Sequence, residues 1–195
     1  MFAFFAGLAA GLLHVFAGPD HLAAVAPLAA DDARGSWRTG FQWGIGHTIG
    51  VLLIALLLLL IREQLPIDVI SANSERLVGV ALIAVGAWGV WKASRTEFKP
   101  HGHSHAGASF GMGALHGLAG SSHLFGVLPA LAFATRAEAV SYLAGFGAGA
   151  IAGMSAFSAV MSLLSSRLSR RHSSGLLYAS SAAALVIGGV WLVGQ

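Results

Sequence analysis

The feature that most constrains this chain is a succession of long stretches with almost no charge. Six such segments can be marked, at about Phe2–Ala30, Thr39–Ile61, Leu77–Trp91, Ser109–Phe133, Ala137–Leu164 and Gly175–Gly194. A bilayer-spanning helix needs roughly 20 consecutive, mostly apolar residues. Only 10% of the 195 residues are charged and 56% are hydrophobic, whereas a soluble domain of this length carries about a quarter charged residues. The sequence therefore predicts an all-α membrane protein of six transmembrane helices. The third segment is the shortest, and its flanking Arg76 and Lys92 are placed to snorkel. The opening Met-Phe-Ala-Phe-Phe has no basic n-region, so no cleavable signal peptide is expected.

Cations sort the loops. Arg34, Arg38, Lys92, Arg95, Lys99, Arg167, Arg170 and Arg171 fall in loops one, three and five, and only Arg62, Arg76 and Arg136 in loops two and four. By the positive-inside rule the first set is cytoplasmic and both termini lie outside a bacterial-type plasma membrane. No basic stripe exists beyond these loops, so the lipid bilayer, and not nucleic acid, is the expected surrounding partner.

The chain also repeats itself. Gly11-Leu-Leu-His-Val-Phe-Ala-Gly-Pro-Asp-His-Leu-Ala-Ala-Val-Ala-Pro27 aligns without gaps to Gly113-Ala-Leu-His-Gly-Leu-Ala-Gly-Ser-Ser-His-Leu-Phe-Gly-Val-Leu-Pro129, with nine of seventeen positions identical. The pairs include His14/His116, His21/His123 and Pro27/Pro129. Helices three and six match through Gly86/Gly189 and Trp88/Trp191; helices two and five match weakly, at Gly40-Phe41 and Gly145-Phe146. Three spans per repeat force the second copy to enter from the opposite side. The reading is two inverted three-helix repeats, 1–93 and 109–195, joined by a cytoplasmic His-containing linker at 94–108, a plan that places sites at the midplane.

Ionisable residues fall at that depth. His14, Asp20 and His21 surround the middle of helix one, His47 lies in the body of helix two, and His116 and His123 surround the middle of helix four. Buried in lipid, such groups are costly unless they face a cavity or one another. Gly18-Pro19 should break helix one near the midplane and draw Asp20 and His21 toward His14; a corresponding break is expected in helix four, where Ser121-Ser122 replace Pro19-Asp20 and leave Asp20 as the only buried carboxylate. With no cysteine in the chain, thiolate and iron–sulfur sites are excluded. Imidazoles with one carboxylate suit a borderline divalent ion such as nickel or cobalt. His47 fits a ligand and a helix–helix hydrogen-bond partner equally well. His101, His103 and His105 form a short loop tract of the kind that binds metal weakly, with a solvated linker as the plain alternative. Gly145, Gly149 and Gly153, Gly113 and Gly117, and Gly40 and Gly44 read as close-packing faces. Asp31 and Asp32 are expected to be solvated at a helix end.

At His14-Val-Phe-Ala-Gly-Pro-Asp20-His21 and Gly40-Phe-Gln-Trp-Gly-Ile-Gly-His47-Thr48 the chain resembles the nickel/cobalt transporter superfamily, and within it the short, UreH-like branch described as urease-accessory or nickel-permease-like. The resemblance implies movement of Ni²⁺ or Co²⁺ by a secondary carrier, with His14, Asp20, His21 and His47 selecting the metal. Two departures from larger members are five residues, not four, between His14 and Asp20, and six spans where they often have eight. The cation is cargo, so no cofactor is expected, and no nucleophile points to an enzyme. Efflux, and an accessory role delivering nickel to enzyme-maturation proteins, are the alternatives.

Overall fold

The computed structural model describes residues 1–32, 37–61, 67–95, 105–119 and 126–193; within these, the side chains of 55, 57–61, 67–75, 106, 131, 170 and 171 are not described. Among the described residues there are seven α-helices: α1 (Phe2–Ala17), α2 (Pro19–Asp31), α3 (Arg38–Ile61), α4 (Ile67–Ala93), α5 (Ala106–Leu118), α6 (Arg136–Arg167) and α7 (Arg170–Val193). A short 3-10 helix, Leu128–Ala132, precedes α6.

Helix one is broken where the sequence places the break. Gly18 is extended (φ −91°, ψ 101°), Pro19 opens α2, and the axes of α1 and α2 differ by 74°. Proline is tolerated at a helix's first position, where its missing N–H had no intrahelical partner to lose. Glycine is needed at 18 for space, because a Cβ there would collide with the His21 imidazole and Asp20 Oδ1. Helix four also stops early: α5 ends at Leu118 on extended Ala119 (φ −88°, ψ 124°), and residues 120–125, with His123, lie outside the described set.

Among the described residues, α6 and stretches of α4 (76–93) and α7 (172–193) are long and apolar enough to cross a membrane, and α1 with α2 makes a fourth if the bent pair is one span. Two boundaries differ from expectation. The third apolar stretch is short, Arg76–Ala93, but its helix extends back to Ile67; polar Ser71, Asn73 and Ser74 hid that extension from a hydropathy reading. Helix α5 begins at Ala106, inside the expected linker, with His105 at its N-cap.

Packing runs across the chain. α1 lies chiefly on α6, α3 on α5, and α4 on α7. Glycines set the first two contacts. A methyl on Gly11 would meet the Phe146 carbonyl, and one on Gly149 the Leu8 carbonyl; likewise Gly113 faces the Trp43 carbonyl and Gly46 the Phe110 carbonyl. The two interfaces are thus built alike, with Gly11 answering to Gly113 and Gly149 to Gly46. Trp43 then answers to Phe146, two residues away in register from the Gly40/Gly145 match. Close backbone approach of this kind is how helices gain dispersion contact where lipid removes the hydrophobic drive. The core between them holds Val15, Ala24, Val25, Trp43, Ala150 and Met154. At one end of the bundle, serines of α6 cap the last carbonyls of α2: Ser165 Oγ donates to Ala30 O at 2.5 Å and Ser162 Oγ to Asp32 O, which satisfies acceptors a helix terminus leaves open.

Candidate metal centre

The break at Gly18 positions the centre. His14 sits in the last turn of α1, and Asp20 and His21 in the first turn of α2. An unbroken helix would hold His14 and His21 two turns apart, about 10 Å. Folded back at Gly18, their rings meet edge to face with centroids 4.7 Å apart. Two carbonyls at the break are already hydrogen-bonded, His14 O to Gly18 N and Gly18 O to His21 N.

His47 enters from the middle of α3, fully buried, with its ring 5.5 Å from that of His14 and 5.1 Å from that of His21. Ligand nitrogens of His14, His21 and His47 all lie within 4.8 Å of one another. Zinc-like ions take imidazole at about 2.0–2.1 Å, so a tetrahedral site would separate ligand nitrogens by roughly 3.3 Å. The nitrogens would have to draw together by up to about 1.5 Å to hold such an ion. Asp20, 5% exposed, links the cluster to the second repeat motif. One carboxylate oxygen lies 3.0 Å from His21 Nδ1 and the other 3.6 Å from His116 Nε2. His116 is fully buried in the last turn of α5. Two helix C-termini, those of α1 and α5, converge on the cluster with partial negative charge, and the N-terminus of α2 meets them there with partial positive charge, which Asp20 offsets. The arrangement could hold a cation on His14, His21 and His47, with Asp20 and His116 beside them.

Of the sequence-derived site residues, His14, Asp20, His21, His47 and His116 gather in one place. His123, His101 and His103 lie outside the described residues. His105 stands apart from the centre, its Nε2 2.9 Å from Asp31 Oδ2. Here an expectation is overturned: Asp31 and Asp32 are not solvated, being 0% and 3% exposed, and Asp20 is not the only buried carboxylate. The end of α2 turns inward under α6, which sequence periodicity did not reveal. Aromatic walls were also missed. Trp43, fully buried, stacks on His47 at 4.7 Å and 12° and flanks His21 and His116; Phe146, its counterpart, lies 5.4 Å from His14. The available signal was position: Trp43 precedes His47 by four residues, one helical turn.

No protein-family profile matches the chain, and no solved structure matches it. Three curated proteins do. Chloroplast protein FOR GROWTH AND FERTILITY 2 of Arabidopsis thaliana is 36% identical over 97% of this chain and 55% of its own length. Chloroplast protein FOR GROWTH AND FERTILITY 1 of the same plant is 33% identical over 93% of this chain and 56% of its own. The chain spans about half the length of these two relatives. Urease accessory protein UreH of Bacillus sp. (strain TB-90) is 29% identical over 85% of this chain and 80% of UreH. The chain is thus similar to these three proteins along most of its own length, the stretches with the His14–His21 and Gly40–Thr48 motifs among it.

Proposed function

We propose that this chain carries a divalent transition-metal cation across a membrane, with Ni²⁺ the first choice and Co²⁺ next. One observation carries the reading: His14, His21 and His47 bring ligand nitrogens together at a helix break, beside a carboxylate that also reaches His116. Nitrogen-rich, sulfur-free donor sets with one carboxylate suit borderline divalent ions. His116, and His123 beyond the described residues, complete or relay the site. The cation is cargo and leaves in turn, so a site of buried imidazoles opening alternately to each side meets the need.

The architecture we propose for this work is six spans in two inverted repeats, 1–93 and 109–195. The pairing of α1 with α6 and of α3 with α5, through matching glycine contacts, supports it, because a two-fold axis in the membrane plane exchanges those two interfaces. With cation-rich loops one, three and five in the cytoplasm, the end holding Asp31 and His105 faces inward.

The test is flux. Purified chain in liposomes should move Ni²⁺ down an imposed gradient, and His21→Ala should abolish the movement while leaving the protein monodisperse. Wild-type liposomes that bind Ni²⁺ without transporting it would overturn the carrier reading in favour of an accessory role. Direction in the cell follows from deletion of the gene, which lowers cell nickel for an importer and raises it for an exporter.

A further inference from the structure

A second carboxylate–imidazole pair stands at the other end of α2. Asp31 is fully buried. Its Oδ2 accepts from Lys92 Nζ at 2.5 Å and lies 2.9 Å from His105 Nε2. Its Oδ1 is also buried and has no hydrogen-bond partner among the described residues. Trp88 flanks both partners, 5.2 Å from the His105 ring and 5.0 Å from the Lys92 ammonium. A lock made only for structure would use both oxygens, since buried polar atoms are ordinarily paired. Among the described residues, one face of this buried carboxylate is left for another donor or a cation.

The position of this pair repeats that of the centre. Asp20 and Asp31 are eleven residues apart, three turns and about 20° of rotation, so they share one face of α2 about 16 Å apart. His116 and His105 are also eleven residues apart, at the last turn and the N-cap of α5. Asp20 meets His116 and Asp31 meets His105, so α2 and α5 run antiparallel with one carboxylate–imidazole pair at each level.

We infer that Asp31 and His105 form a second cation station on the route to or from the centre, with Lys92 as a tethered cation that holds the carboxylate until a metal ion displaces it. Lys92 is suited to this: its side chain is 20% exposed, it sits in the last turn of α4, and a flexible ammonium exchanges partners more readily than a forked guanidinium. Asp31 supplies oxygen through both Oδ1 and Oδ2, and His105 supplies Nε2, the same borderline donor mixture as the centre. The inference rests on the proposed function, since it takes the same cargo.

Ni²⁺ binding to the purified full-length chain in detergent, measured by titration calorimetry, tests it. His101→Ser and His103→Ser are present in every arm, so that His105 alone remains of the tract. Two Ni²⁺ per chain are expected, the second weaker. Asp31→Asn and His105→Gln should each lose the weaker equivalent and keep the tighter one, and His21→Ala should do the reverse. Lys92→Met should tighten the weaker site at least about tenfold, as expected on removing a competing unit charge a few ångströms away; a gain of affinity cannot come from misfolding. One equivalent, lost in His21→Ala and indifferent to Asp31→Asn, overturns the second station and leaves the centre standing. A weaker equivalent that Lys92→Met does not change, or that survives Asp31→Asn, also overturns it. Absence of Ni²⁺ binding in every arm sinks both readings.

Discussion

Asp20 is the residue on which the centre turns, because its two oxygens face imidazoles from different helices. Asp20→Asn keeps the shape and removes the charge. It should weaken Ni²⁺ binding by more than the roughly 10–100-fold that loss of an outer-shell partner costs a metal site, read by calorimetry against the wild type. The imidazoles set a pH dependence whose sign is fixed. Ligand histidines must be neutral and protons compete with metal, so Ni²⁺ affinity should fall as the imidazoles protonate, by about tenfold per pH unit for each proton displaced. Affinity that rises as pH falls would argue against imidazole ligation. At this scale the sequence was informative for His14, Asp20, His21, His47 and His116, since residue type and depth alone set them apart. It put Asp31 in solvent, where the structure buries it, and was silent on Trp43. An aspartate at a helix end and a tryptophan in an apolar helix are both ordinary, and only tertiary packing turns one under α6 and the other onto His47.

Among the elements, the helix break was legible because Gly-Pro leaves little alternative, but the extent of α4 was not. Helix formation tolerates polar residues that a hydropathy window rejects. The glycine faces make a sharper forecast within one helix. Gly111 and Gly113 both belong to α5; a Cβ at Gly111 meets nothing within 4 Å, while one at Gly113 meets the Trp43 carbonyl. Gly113→Ala should push α3 and α5 apart and cost about 1–3 kcal/mol. Gly111→Ala should be neutral or gain about 0.5–1 kcal/mol from helix propensity. Thermal unfolding of the two variants in one detergent separates them, and equal midpoints would mean that α5 does not lie on α3 as described.

For the molecule as a whole, the matching motifs led to a reading of two similar halves, whereas the exchange of partners between halves was not readable from them. A repeat in sequence says that two units are alike and leaves open whether each packs on itself. Here the principal contacts of α1, α3 and α4 are all with helices of the second half. Residues 1–95 and 105–195 produced as separate chains should each be degraded alone and should restore Ni²⁺ flux only when made together. Sidedness is open to an equally direct check, because the chain has no cysteine. Ser94→Cys and Thr135→Cys should react with an impermeant maleimide from opposite faces, Thr135→Cys from outside; labelling of both from one side would refute the assigned orientation.

The same clasped arrangement dictates what moves. Two hands with interlaced fingers cannot swing apart at the wrists, and a chain folded this way cannot rock its front half against its back half. The stiff blocks are mixed ones, α1 with α6 and α3 with α5, and the seam between them runs through His14 on one side and His47 and His116 on the other. Scissoring along that seam would prise the imidazoles apart and free the ion, while α2, tied to α1 through Gly18 and to α6 through Ser162 and Ser165, travels with the α1–α6 block.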